Sequence, residues 1–510
     1  MTTRQSSLAS DISAAIAALE TKVDELEAQE FRLAPELKAC RESLKSTRAS
    51  LASLAKFQRN SRAPVLLLPP EILGYIFEIV VNGRTRPFQH LPMLLSGICR
   101  VWREVSISNP HLWTNIRVGT DKPKALSDLY FQRSKACDLN VYYVHEAPIP
   151  GTFKPASLNL HRCRRLFMKF NYPATAECIL RIMTAEAAPR LRGFQVSLDD
   201  SAGGTSGLFD DGAIQPLFNG DAPALRTFTM SGMRPLKSRT LLGTITHLEL
   251  KTSHVEDELS PEDFALFLRG AARSLKYMVL EGIVVGFRLG EKPSKIELPT
   301  LISLNIRYPT WGDDADYIAD IWSCISTPVL GDLTLHNLND AELHETMNAV
   351  NEQRGGGAFA EVKVLCLDNT YMEHYAAPDY EPQDFYTANN MVDDLMLAFP
   401  EVTILLLKGD AVLSVLTLML ETDRKNTSSD TGTLWPHLQC LMVERPREQL
   451  IRDIVLSRKA VGHPISELKI QLEDELPAKS VQWLRRRVPN FSIIEYSLSR
   501  AGLFEQMLFE

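Results

Sequence analysis

One six-residue spacing, apolar-x-x-apolar-x-apolar, constrains this chain more than any other feature. It occurs at Ala136/Leu139/Val141, Cys163/Leu166/Met168, Leu191/Phe194/Val196, Leu225/Phe228/Met230 and Ile245/Leu248/Leu250. It continues at Leu275/Met278/Leu280, Leu301/Leu304/Ile306, Leu330/Leu333/Leu335, Val362/Leu365/Leu367 and Val402/Leu405/Leu407. Leu438/Leu441/Val443, Ile465/Leu468/Ile470 and Phe491/Ile494/Tyr496 complete the set, at a mean spacing of about 30 residues. A short apolar unit returning at that interval predicts one strand per unit, stacked on its neighbours, because no unit buries its own apolar face. Proline stands one or two positions before many units (Pro189, Pro223, Pro299, Pro328, Pro400, Pro436, Pro464, Pro489), where no ladder donor is yet required.

Helical patterns fill the intervals. Ser260-Pro261-Glu262-Asp263 before FALFLRGAARSL reads as an N-cap, a first-turn proline and an amphipathic helix. Residues 176–187, 392–399, 412–421 and 479–487 read similarly. The template resembles the core of a leucine-rich repeat, which implies parallel strands with outer helices. Asparagine is expected eight residues after the first apolar position, and only Asn171 stands there, so the resemblance implies an irregular solenoid. Loops are expected at residues 199–211, 371–390 and 422–433. The other reading of the same pattern is an unrelated α/β domain with short strands.

The N-terminus carries a different period. Positions 12, 16, 19, 23, 26, 30, 33, 37, 40, 44, 47, 51 and 54 alternate steps of four and three, and all but Glu30 and Thr47 are apolar. That heptad pattern predicts a helical arm over residues 1–57. Pro35 would cost an uninterrupted helix about 3 kcal/mol. The outcomes are a coiled coil that self-associates through residues 12–54, a hairpin folded back at Pro35, an arm laid on its own chain, or a frayed helix. Gln58 to Arg62 reads as a polar linker.

Between arm and repeats lie Leu68-Pro69-Pro70-Glu71-Ile72-Leu73, then Cys99-Arg100-Val101-Trp102-Arg103, then Leu112-Trp113. The paired prolines suit a first helical turn. Ile72, Leu73, Ile76, Phe77 and Val80 recur at helical spacing, and Asn109-Pro110 ends the last helix. In this order the three motifs resemble the F-box, and more narrowly the F-box-like proteins that mushroom-forming fungi carry in large families. The fold expected is α/β: a coiled-coil-like arm, a three-helix F-box-like bundle over residues 64–118, and a leucine-rich-repeat-like solenoid over residues 125–510. Trp113 is expected to anchor the first repeat.

The resemblance implies a substrate adaptor that docks the Skp-type adaptor of a cullin–RING ubiquitin ligase and holds a target protein on its repeats. Leu68, Pro69, Pro70, Glu71, Ile72, Ile76 and Trp102 match the docking positions, though the bundle core is the more natural place for Trp102. The alternative is a non-catalytic repeat scaffold or dimeric binding module that never joins a ligase.

Composition narrows the rest. At 23% charged residues and a formal net charge of −8, nothing favours nucleic acid or an anionic membrane. The first 30 residues do not read as a signal peptide, and apolar runs such as residues 411–420 are about half the ~20 residues of a membrane span. Eight scattered cysteines without a CxxC pair suit a reducing compartment, cytoplasmic or nuclear. Catalytic and cofactor motifs are not found: His344-Glu345 lacks a second histidine, and His161 with Cys163 lacks a second metal-binding pair. The Asp313–Asp316 run lacks the glycine and glutamate of a calcium loop, and Gly355–Gly357 reads as a connector. Arg485, Arg486 and Arg487 suit a helix C-terminus. The chain is expected to be no enzyme and to need no cofactor.

Overall fold

The computed structural model describes residues 2–61, 64–83, 90–119, 124–145, 159–199, 216–233, 242–252, 258–287, 295–308, 317–352, 361–370, 394–426, 433–471 and 476–494. The chain divides into two compact units, Met1–Val80 with Met93–Ser108 and Val81–Pro92 with Asn109–Glu510.

In the first unit, α1 is one unbroken helix, Thr2–Ser61, with Pro35 inside it. The hairpin folded back at Pro35 is therefore not what forms, and Gln58 to Ser61 is helix rather than linker. Pro35 has no N–H to offer the Phe31 carbonyl, and Phe31 is 84% exposed, on a helix open to solvent there. From Ile16 to Leu54 the large apolar heptad residues are 48–67% exposed. Among the described residues, nothing covers that stripe of the arm.

Three short helices follow: α2 (Pro70–Asn82), α3 (Leu91–Ile98) and α4 (Arg100–Ser108). Pro70 opens α2, with the Leu73 amide donating to the Pro69 carbonyl at 3.0 Å. Cys99, alone between α3 and α4, accepts through Sγ from the Trp102 amide at 3.5 Å, and the Arg103 Nε donates to the Ser96 carbonyl at 3.0 Å. Those two bonds fix the α3–α4 corner.

The second unit is a mixed α/β structure. Its sheet holds fourteen parallel strands among the described residues, from Asn115–Gly119 to Asn490–Ile494, each beside its nearest neighbours in sequence. A separate pair, Ile296–Glu297 with Ile325–Ser326, lies outside it. Leu166, Phe194, Phe228, Leu248, Met278 and Leu304 occupy one register column, which continues through Leu333, Leu365, Leu405 and Leu441 to Leu468. The eleven central units thus stand in the register their spacing predicts, with every template side chain at most 3% exposed. Each such burial contributes about 1.5–3 kcal/mol.

Both ends depart from prediction. Phe491 pairs with Leu468 and Ile493 with Ile470, so the last unit is Val488/Phe491/Ile493 rather than Phe491/Ile494/Tyr496. Val141 pairs with Leu166 and Tyr143 with Met168, so the unit placed at Ala136/Leu139/Val141 is shifted by two residues, with a bulge at Leu139/Asn140. A strand also precedes it. Ile116 pairs with Val141 and Val118 with Tyr143, so the sheet begins inside the 64–118 segment. Trp113 fills that strand's first template position, fully buried, with the Tyr130 ring at 4.9 Å and the Arg133 guanidinium 4.3 Å over its face.

Most expected helices form. Pro261–Ala271 is capped by Ser260, whose Oγ accepts from the Asp263 amide at 3.1 Å. Ala478–Arg485 overlaps its pattern closely, Pro173–Met183 starts three residues before and ends four before the expected 176–187, and Ala411–Asn426 runs on through the loop expected from residue 422. Beyond residue 426 that loop lies largely outside the described residues, as do those at 199–211 and 371–390, the Asp313–Asp316 run and Gly355–Gly357.

Candidate functional site

Two surfaces present groups that a partner could use, one in each unit. The first is on α2, which is apolar on both sides. Leu73 and Phe77 are 1% and 2% exposed, while Ile72, Tyr75, Ile76 and Ile79 are 50%, 63%, 37% and 55% exposed. The exposed four stand at i, i+3, i+4 and i+7, one stripe of the helix. The pattern read as one face, Ile72 to Val80, is therefore two. Leu94, Ile98 and Val101 on α3 and α4 are also uncovered.

Among the residues matched to docking, Pro69, Pro70, Glu71, Ile72 and Ile76 are exposed and Leu68 is half-buried. Trp102 is half-buried, with its ring 4.8 Å from the Phe77 ring, so it serves the interior of the helical unit at least in part.

The second surface is the sheet face opposite the template residues. Strand side chains alternate between faces, so the residue after each third template position points away from the apolar interior. Register places Lys169, Ser197, Ser231, Lys251, Glu281, Arg307, His336, Asp368 and Lys408 in one such column. Neighbouring strands lie about 4.8 Å apart, close enough for facing charges to touch. Glu281 Oε2 lies 3.3 Å from Lys251 Nζ and 3.3 Å from Arg307 Nη1. Asp368 Oδ2 lies 2.9 Å from His336 Nδ1 and 3.7 Å from Lys408 Nζ. Each carboxylate sits between two basic groups.

Burial shapes the charges in this column. Burial lowers the His336 pKa against the pull of Asp368, so the ring is neutral at pH 7 and its Nδ1–H donates to Asp368. Burial would raise Asp368, but the His336 hydrogen bond and the nearby Lys408 and Arg307 hold it below its ordinary value. Burial also works against the charge of Lys251, and Glu249 with Glu281 outweighs it, raising that ammonium's pKa. His336 is 6% exposed, and its Nε2 has no hydrogen-bond partner among the described residues.

A histidine oriented by a carboxylate can accept a proton. Two residues before Asp368 on the same strand, however, burial pushes the Cys366 thiol up to about 11, the wrong direction for a nucleophile. The column is suited to recognising polar groups: it offers donors and acceptors at strand spacing. The sequence reading missed it, although the signal was present. Read unit by unit, the residue after the template runs Lys251, Glu281, Arg307, His336, Asp368, Lys408.

The remaining candidates resolve into structural roles. Cys163 is fully buried, with its thiol pushed up by burial to about 12. His344 lies 3.5 Å from Asp394, and the Arg487 guanidinium sits 4.1 Å over the Trp483 ring. Among the described residues, no group of three or more His, Cys, Asp or Glu side chains could hold a metal ion. No described helix is long and apolar enough to cross a membrane. Neither a family model nor a curated protein matches this chain.

Proposed function

We propose that this chain is a non-catalytic substrate adaptor. In this reading the F-box-like helices dock the Skp-type adaptor of a cullin–RING ubiquitin ligase, and a leucine-rich-repeat-like solenoid holds the target protein. The observation that carries the reading is the uncovered stripe of Ile72, Tyr75, Ile76 and Ile79 on a helix whose other side is already buried. Water-facing apolar area of that kind is stabilised by a partner's groove, and a short amphipathic helix laid in a groove is a recurrent docking mode. Leu68, Pro69 and Pro70 start that helix in a fixed register, and Glu71 lies in its first turn. The charged column from Lys251 to Lys408 is the surface offered to the target.

The test is co-purification of the full chain with a Skp-type adaptor. Ile72→Glu with Ile76→Glu should abolish it while leaving the thermal midpoint unchanged, since both side chains are exposed. Adaptor binding that survives this change, or its absence from the unaltered chain, would overturn the reading.

A self-associating repeat scaffold is the second reading, favoured by the exposed heptad stripe of α1. Dimers by light scattering without adaptor binding would select it.

A further inference from the structure

The heptad stripe of α1 is solvent-exposed along its described length, yet its composition specifies what covers it. The a row is Ile16, Val23, Glu30, Leu37, Leu44 and Leu51, and the d row is Leu19, Leu26, Leu33, Cys40, Thr47 and Leu54. At 1.5 Å per residue the stripe is about 58 Å long. Nine of its large apolar residues are 48–67% exposed, far more apolar surface than one helix keeps in water without a partner.

Charge is divided along the same helix. Residues 11–30 hold six acidic side chains (Asp11, Glu20, Asp24, Glu25, Glu27, Glu30) and one basic, Lys22, a net charge of −5. Residues 31–61 hold seven basic side chains (Arg32, Lys38, Arg41, Lys45, Arg48, Lys56, Arg59) and two acidic, Glu36 and Glu42, a net charge of +5. The helix dipole favours this polarity only within the terminal turns, so it does not account for a division that runs the whole length.

The e row flanking the seam reads Glu20, Glu27, Ala34, Arg41, Arg48. That row is complementary to its own reverse. We propose that α1 pairs with α1 of a second copy of this chain in an antiparallel coiled coil centred near Pro35. Residue i then lies opposite residue 70 − i, which covers the whole stripe from Ile16 to Leu54. The acidic half of each helix lies along the basic half of the other, with Glu20 and Glu27 beside Arg41 and Arg48 of the second copy.

A parallel pair would satisfy Lys22 against Glu27 and Glu36 against Arg41 across the seam. It would also lay −5 against −5 and +5 against +5. In register, it would bury Glu30 against Glu30, two like charges in an apolar seam. The antiparallel pair sets Glu30 opposite Cys40 instead. Pro35 falls at the f position, on the side away from the second copy. The inference is independent of the adaptor reading.

Cysteine pairing on the full chain tests it. In a Cys40→Ser background, Leu26→Cys is mixed with Leu44→Cys, oxidised, and the linked peptides mapped by mass. The expected product joins 26 of one copy to 44 of the other. Homotypic 26–26 or 44–44 links mean a parallel pair and overturn the proposal. A monomer by light scattering, or no link at these positions, overturns it as well. Independently, Glu20→Lys with Glu27→Lys should raise the dimer dissociation constant at least roughly tenfold, as attractive flanking pairs become repulsive. Adding Arg41→Glu and Arg48→Glu should restore it, whereas in a parallel pair the fourfold variant stays weak.

Discussion

The guanidinium of Arg458 and the carboxylate of Asp423 lie 3.4 Å apart, and neither side chain is exposed to solvent. They join two helices, Ala411–Asn426 and Glu448–Ala460. Arg458 also donates to the Leu434 carbonyl at 2.8 Å and the Trp435 carbonyl at 2.6 Å, where Trp435 sits at φ 50°. Burial raises the Asp423 pKa, and Arg458 draws it back toward the charged form.

Removing one partner strands the other. Arg458→Met should destabilise the protein by about 3–5 kcal/mol in urea unfolding, because an unpaired buried carboxylate remains. Arg458→Met with Asp423→Leu should recover the ion-pair part of that loss and not the part owed to the two carbonyls. A loss under about 1 kcal/mol for the single change would show that the pair does not join the helices energetically.

Gly282 and Gly462 give a second, comparative test. Gly282 (φ +80°) follows the strand Tyr277–Glu281, and a methyl group there would collide with the Thr252 carbonyl oxygen. Gly462 has the same backbone twist, φ +84°, with open space around it. Gly462→Ala should cost about 1–2 kcal/mol from the left-handed backbone alone. Gly282→Ala should cost clearly more. Equal losses would mean that the collision relaxes freely.

His336 makes stability depend on pH. Its folded pKa lies below the unfolded value near 6.5, so the unfolded chain binds more protons in that window. The contribution is complete above about 6.5 and is lost as pH falls through the folded value, with a slope of at most about 1.4 kcal/mol per pH unit. Asp368, held below its ordinary value, loses its contribution at still lower pH. His336→Gln should flatten the dependence just below pH 6.5, read by thermal midpoints. An unchanged slope would mean that other groups govern it.

The eleven central units were legible because strand alternation and the buried corner before each strand require apolar residues at fixed steps of three and two. The end units were not. The last strand has one neighbour, and Pro489 imitates the proline that precedes other units, which moved the reading from Val488 to Phe491. The first strand was hidden because Leu112 and Trp113 were absorbed into another motif. The turn that the resemblance marks with asparagine at the eighth position also comes earlier: Gly232, Gly282, Asn337, Asn369 and Gly409 take left-handed conformations seven residues after the first apolar position.

By itself, the sequence determined a chain with a heptad arm, a short proline-started helical unit and stacked parallel strands, because local periodicity dictates which side chains must leave water. Tertiary structure decided the rest. It kept α1 continuous through Pro35, gave α2 a second and uncovered apolar stripe, and brought Glu281 and Asp368 each between two basic groups. Those outcomes depend on register and on which surface finds a neighbour, and neither is a property of any one segment.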